Sequence, residues 1–218
     1  MRDWDESHPK AGLLARKRAA ILAAARARFL ASGFGDTTMD AVAAEAGVSI
    51  MTLYRHARTK DELFEAVIAI ECSSTALARE QPEFAGIPLR DALTALGRLR
   101  LAATFAPERI AMIRAVVAET GRFPQLGAIV YRATVGALRD TVLWLLSVHP
   151  EAAASRALAP GAAQLFVDAL AGDLVLRLLL GLAAEEGGAA GRERRIALAA
   201  DAALRELARP DGAERASA

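Results

Sequence analysis

Residues 37–56 read Thr37-Thr38-Met39-Asp40-Ala41-Val42-Ala43-Ala44-Glu45-Ala46-Gly47-Val48-Ser49-Ile50-Met51-Thr52-Leu53-Tyr54-Arg55-His56. Thr37 is suited to cap a short helix, with Asp40 three positions on where the amide dipoles favour negative charge. That helix carries Val42 and Ala43 and must end at Gly47, where a left-handed backbone meets no Cβ clash. Ser49 then caps a third helix from Ile50 to about His56. Small Ala43 lets the two helices cross closely over a core of Val42, Val48 and Leu53. Two short helices joined by a three-residue turn containing glycine form a helix-turn-helix, whose second helix lies in the major groove of DNA.

Such a unit needs supporting helices, and the flanking sequence supplies them. Leu14, Ile21, Leu22, Ala25, Phe29 and Leu30 recur at helical spacing across residues 13–32, and Gly33 stops the pattern. Residues 1–11 are polar and aperiodic, and are expected to be a flexible arm whose Lys10 reaches DNA. Thr59 and Glu62 form a capping box that starts a fourth helix, carried by Leu63, Phe64, Val67 and Ile68 to about residue 78. Lys10–Lys60 holds nine basic and three acidic side chains, a surplus of six, whereas the rest of the chain is net negative by five. That asymmetry, hidden in a net charge of +1, makes the N-terminal quarter the electrostatic candidate for double-stranded DNA.

Beyond residue 80 the composition shifts, and Gly86-Ile87-Pro88 reads as a linker. The expected division is an arm at 1–11, a helix-turn-helix domain at 12–80, a ligand-binding and dimerisation domain at 81–210, and a tail at 211–218. In the second domain helices are expected over about 89–104, 107–120, 124–148, 161–184 and 192–208, started by Pro88, Pro107 and Pro124, with a loop at 185–191. The fold class is therefore all-α, with about nine helices. The 161–184 helix is apolar almost all round and must be buried on both sides. One side suits its own domain, and the other a second copy of the chain, giving a two-fold homodimer through a four-helix interface with 192–208. Asp173 and Arg177, four apart, are expected to pair within that helix.

Several function classes are disfavoured. The single cysteine, Cys72, allows no intramolecular disulfide and the chain opens on no secretory signal, so a cytoplasmic protein is expected. The richest apolar run, Leu174–Leu182, is broken by Arg177 and is too short for a membrane span, which takes ~20 residues. The three histidines, His8, His56 and His149, have no metal-ligand spacing. Neither a phosphate-binding glycine loop nor a nucleophile elbow is present, so no enzyme, metal or cofactor is expected. The competing class is a helical-bundle small-molecule-binding protein or enzyme with a vestigial DNA-binding head.

The run Ile21-Leu22-Ala23-Ala24-Ala25, Phe29, Gly33-Phe34, Thr37-Thr38-Met39, Ala43, Ala46-Gly47-Val48-Ser49, Thr52-Leu53-Tyr54-Arg55-His56, Lys60-Asp61-Glu62-Leu63-Phe64 resembles the DNA-binding domain of the TetR family. Ala118-Glu119, Arg122-Phe123-Pro124, Leu126 and Tyr131 are similar to the sensor domain of its AefR-like branch. The resemblance implies a transcriptional regulator, commonly a repressor released from a palindromic operator by a small, largely apolar effector. It implies that Thr38, Tyr54, His56 and Lys60 hold phosphates. Base reading then falls to the exposed face of the third helix, with Ser49, Ile50, Thr52 and Arg55 as candidates. The basic stripe of the first helix, Arg16 and Lys17, adds backbone contacts. Two residues depart from the family pattern. Met51 stands where small residues are common, and obstructs close backbone approach or else adds an apolar base contact. Ala57 replaces an aromatic, and Phe29, Met39 and Phe64 are expected to refill the space. A ligand pocket is expected among the later helices, with Phe105, Met112, Val116, Glu119, Tyr131, Trp144 and Phe166 as candidates. Each also suits a plain core, and Glu119 with Arg122 could instead fasten two helices at the Phe123-Pro124 corner.

Overall fold

The structure, a computed structural model, describes residues 9–71, 84, 86–104, 107–182 and 188–210. Its helices are α1 (Pro9–Asp36), α2 (Met39–Glu45), α3 (Ile50–His56), α4 (Lys60–Glu71), α5 (Leu89–Thr104), α6 (Pro107–Glu119), α7 (Pro124–Tyr131), α8 (Ala137–Val148), α9 (Ala159–Ala171), α10 (Leu174–Leu179) and α11 (Gly188–Leu207). Among the described residues there is no strand, and the fold is all-α as expected. A π-helical turn at Arg132–Gly136 runs α7 into α8, so the single helix expected over 124–148 is present with one bulge. None of the helices among the described residues is long and apolar enough to cross a membrane.

The chain packs as two compact units: residues up to Glu71 together with Ala111–Val130, and residues 72–110 together with 131–218. In the first, Ile21, Leu22, Ala25 and Phe29 of α1, Val42 and Ala43 of α2, Leu53 of α3, and Leu63, Phe64, Val67 and Ile68 of α4 are all buried. Sequence periodicity had no signal for the inclusion of 111–130. That segment supplies Met112, Val116, Leu126 and Ile129 to burial and sets Phe123 edge-on to Phe34. Phe34 also meets Phe29 and Phe64, with centroids 5.7 and 5.5 Å apart. Phe29, Phe34 and Phe64 thus form one aromatic cluster in this core, while Ala57 is buried and Met39 half-buried.

In the second unit α9 packs along α11, and α5 and α8 flank the pair. Ala162, Ala163, Ala199, Ala200 and Ala203 are fully buried, so short side chains let the helix axes approach. At Gly97 of α5 a Cβ would lie 2.9 Å from Ile196 Cγ2 of α11. His149, 2% exposed, closes the end of α8: Nε2 lies 2.9 Å from the Ile87 carbonyl oxygen, and Nδ1 accepts from the Glu151 amide.

Four local expectations are corrected. Helix α1 starts at Pro9, inside the stretch read as an arm; residues 1–8 lie outside the described residues, as do Cys72, the expected end of the fourth helix and the tail from 211. The expected 161–184 helix is split at Gly172, whose φ of 46° ends α9. A Cβ there would sit 2.5 Å from Arg195 Nη1, and Arg195 also bonds Asp173, which pairs with Arg177 as expected. Residues Pro150–Leu158, where no helix was expected, form a 3₁₀ stretch. Helix α11 starts at Gly188, four residues early, leaving 183–187 outside the described residues.

Candidate nucleic-acid interface

The geometry of residues 33–60 follows from two glycine breaks and the helix caps that follow them. Gly33 adopts φ 76° and ψ 171°, a region almost restricted to glycine, and kinks the chain near the end of α1. Thr37 does not cap α2; its buried hydroxyl donates to the Gly33 carbonyl at 2.7 Å and pins that corner. The cap is Thr38, whose hydroxyl accepts from the Ala41 amide at 3.2 Å. Thr37 and Thr38 are equivalent by residue type, and only the fold of the glycine corner distinguishes them. Gly47, at φ 65°, ends the next turn, and the Val48 amide bonds the Ala43 carbonyl at 3.0 Å. Ser49 caps α3 as expected, its Oγ accepting from the Thr52 amide and lying 2.9 Å from Thr52 Oγ1. Thr59 accepts from the Glu62 amide, while the Glu62 carboxylate reaches back one residue further than in a standard box, to the Arg58 amide.

Leu53 faces inward and is fully buried, which fixes the outward face of α3. Met51 is 72% exposed and Tyr54 44%, and Arg55 is exposed beside them. Residues three and four apart share a helix face, so Met51, Tyr54 and Arg55 form one outward surface. Ile50, Thr52 and His56 are half-buried at its margins, and Ser49 is exposed at its N-terminal end. The His56 imidazole is held below its ordinary pKa, first by partial burial and then by the charges of Arg18 and Lys17. Thus α1 brings cations to the C-terminal end of α3. Sequence pattern did not single out Arg18, although it closes the run Arg16-Lys17-Arg18, of which Arg16 and Arg18 are exposed and Lys17 is half-buried. Arg28 of α1 pairs with Glu45 of α2.

Lys60 is placed otherwise than a simple phosphate clamp. Its ammonium donates to the Gly35 and Thr37 carbonyls, each at 2.9 Å, and lies 4.6 Å from the Phe34 ring centroid. One of its three N–H donors remains for another acceptor.

The expected ligand-binding residues are distributed over both units. Met112 and Val116 are buried in the first, bordering with Phe29, Phe34, Phe64, Ala115 and Leu126 an apolar void of about 10 Å³, room for one water-sized sphere. Glu119, also there, lies against the glycine corner: its Oε1 would be 2.5 Å from a Cβ at Gly33. Arg122 and Phe123 border Gly35, so Glu119 and Arg122 lie together against the α1–α2 corner. In the second unit Phe166 is fully buried, Trp144 packs on the core, and Tyr131 is 54% exposed. Phe105 lies outside the described residues.

Comparison with known proteins agrees with this arrangement. Residues 21–67 match the model of bacterial regulatory proteins of the tetR family, and residues 91–206 match the C-terminal domain of AefR-like transcriptional repressors. Among solved structures, the flavonoid-responsive regulator FrrA is 31% identical with a TM-score of 0.65, over 88% of this chain and 95% of that one. A TetR-family regulator from Mesorhizobium loti is 25% identical with a TM-score of 0.62, over 88% and 96%. Another from Pseudomonas syringae pv. tomato is 25% identical with a TM-score of 0.58, over 87% and 95%. A search of curated proteins gives no match. With both halves of the chain matched to the family's models and a 31% identical regulator matched nearly end to end, this protein belongs to the TetR family of transcriptional regulators.

Proposed function

We propose that the chain is a homodimeric, cytoplasmic repressor that binds a palindromic operator and is released from it by a small, largely apolar effector. The observation that carries this reading is the outward surface of α3, Met51, Tyr54 and Arg55, with Arg18 and Lys17 of α1 close enough to act on His56 at its C-terminal end. A positive margin supplies salt-dependent phosphate affinity, and the exposed helix face supplies readout. In this reading Arg16, Lys17, Thr38, Tyr54, His56 and the remaining donor of Lys60 contact the backbone. Ser49, Ile50, Met51, Thr52 and Arg55 contact bases.

DNA reading is assigned to residues 12–80, and ligand binding and dimerisation to 81–210. Residues 111–130 pack within the N-terminal unit, so one stretch of the proposed sensor is physically part of the head. Exposed Leu165, Leu176, Leu180, Leu182 and Leu198 support a second copy as the cover for the other unit. A two-fold dimer would set recognition helices about 34 Å apart, one DNA turn. FrrA, by its name, responds to flavonoids, which supports an apolar, aromatic-sized effector here. Such an effector acts by binding more tightly to a dimer whose heads do not match the operator. Selecting genomic fragments with the full-length chain at two salt concentrations tests the reading: one enriched palindrome supports it, and uniform weak binding at both salts refutes it.

A further inference from the structure

Resting on the operator-binding role above, we infer that Met51 reads a C5-methyl group on a pyrimidine in the major groove. The first turn of α3 offers few uncommitted polar groups. Ser49 Oγ accepts from the Thr52 amide, and the Ser49 and Thr52 hydroxyls lie 2.9 Å apart, so one of the two hydroxyl protons is used within the cap and only the other is left for a base. What projects freely from that turn is apolar: Met51 is the most exposed large apolar side chain among the described residues, at 72%. It carries this exposure on a helix flanked by cations from α1, next to exposed Arg55. A surface that attracts a polyanion and presents a thioether needs an apolar feature on that polyanion. Among base edges in the major groove only the C5-methyl group is apolar. Methionine suits this contact because its unbranched, polarisable chain adapts to an irregular surface. Thymine and 5-methylcytosine carry the same methyl group, and the chemistry on α3 is common to both.

The test replaces the DNA rather than the fold. Using the palindrome selected by the full-length chain, each thymine of a half-site is replaced in turn by uracil, which removes only the methyl group. Where the sequence has C·G at the same step, cytosine is compared with 5-methylcytosine. Removing one methyl from one position in each half-site is expected to weaken binding about fourfold per half-site, the factor matching ~0.8 kcal/mol per buried carbon. The same replacement should change the affinity of Met51→Ala less than 1.5-fold, because the partner of the methyl is already gone. Since Met51 packs against little, Met51→Ala should keep the parent melting temperature. A thymine-to-uracil loss with no cytosine methylation effect assigns the contact to thymine, and the converse assigns it to methylated cytosine. Equal affinity for every methylated and unmethylated pair, or a methyl effect undiminished in Met51→Ala, overturns the inference while leaving the operator intact. Failure to enrich any sequence overturns both this inference and the operator-binding role.

Discussion

Phe123 stands edge-on to Phe34, ring centroids 5.1 Å apart at an interplanar angle of 68°, joining the 111–130 segment to the corner between α1 and α2. Phe34 is 4% exposed and Phe123 half-buried. Phe123→Ala should therefore cost about 2 kcal/mol, below the 3–5 kcal/mol of a fully buried phenylalanine. Urea denaturation measures this, and a change under 0.5 kcal/mol would mean the ring pair contributes nothing to the head.

Lys60 ties the same corner from the other side. Lys60→Met keeps the stem but leaves the Gly35 and Thr37 carbonyls without their shared donor. The expected loss is about 1–3 kcal/mol of stability, accompanied by weaker binding to all DNA sequences. If Lys60 served phosphate alone, affinity would fall with the melting temperature unchanged.

The helix-turn-helix was legible because its signals are local: Ser49, Gly47 and the Leu53 register each act within one turn of chain. The α1–α2 corner was only half legible. Gly33 announces a stop, but the choice of Thr38 over Thr37 as cap depends on the Gly33 carbonyl that Thr37 reaches. Contact between Phe34 and Phe123 spans 89 positions and has no periodic signature. The Gly172 break hid for a different reason: leucines continue on both sides of it, so the apolar pattern runs on while the backbone does not. As for Met51, its position is plain in sequence, whereas its exposure needed the packing of Leu53 beneath it.

Leu176 and Leu180 are 60% and 66% exposed and four residues apart, so they share one face at the C-terminal end of α10. Burying each against a second copy would be worth roughly 1.5–3 kcal/mol. The double variant Leu176→Glu with Leu180→Glu should sediment as a monomer at concentrations where the parent is a dimer, with operator affinity falling in parallel. A variant that stays dimeric would place the interface elsewhere.

For His56 the sign of the pH dependence follows from its depressed pKa. An unfolded chain, with histidine near ~6.5, takes up a proton before the folded head does. The head's stability is therefore unaffected above that value and declines as pH falls through it toward the lower folded value. DNA binding runs the other way. A phosphate beside the ring opposes Arg18 and Lys17 and raises the pKa in the complex, so binding takes up a proton and affinity increases on acidification until the free head is itself protonated. Fluorescence anisotropy from pH 8 to 5 should show this increase for the parent and a flatter profile for His56→Gln. Equal slopes for the two would remove His56 from the backbone contacts.

Gly33 faces two separable constraints, its own backbone and the Glu119 carboxylate. An alanine there incurs strain of about 1–3 kcal/mol from φ 76° and ψ 171° alone. Its Cβ would also meet Glu119 Oε1 at 2.5 Å, and Glu119 Oε2 is already buried without a hydrogen-bond partner. That carboxylate must shift to admit the methyl group. Gly33→Ala should therefore be strongly destabilising in the parent and less so in a Glu119→Ala background, where only the backbone strain remains. A double-mutant cycle by urea denaturation should give a coupling of about 0.5–1 kcal/mol, in the range found for residues in contact. Strict additivity would mean that the carboxylate swings clear without cost, and that Glu119 does not hold the corner.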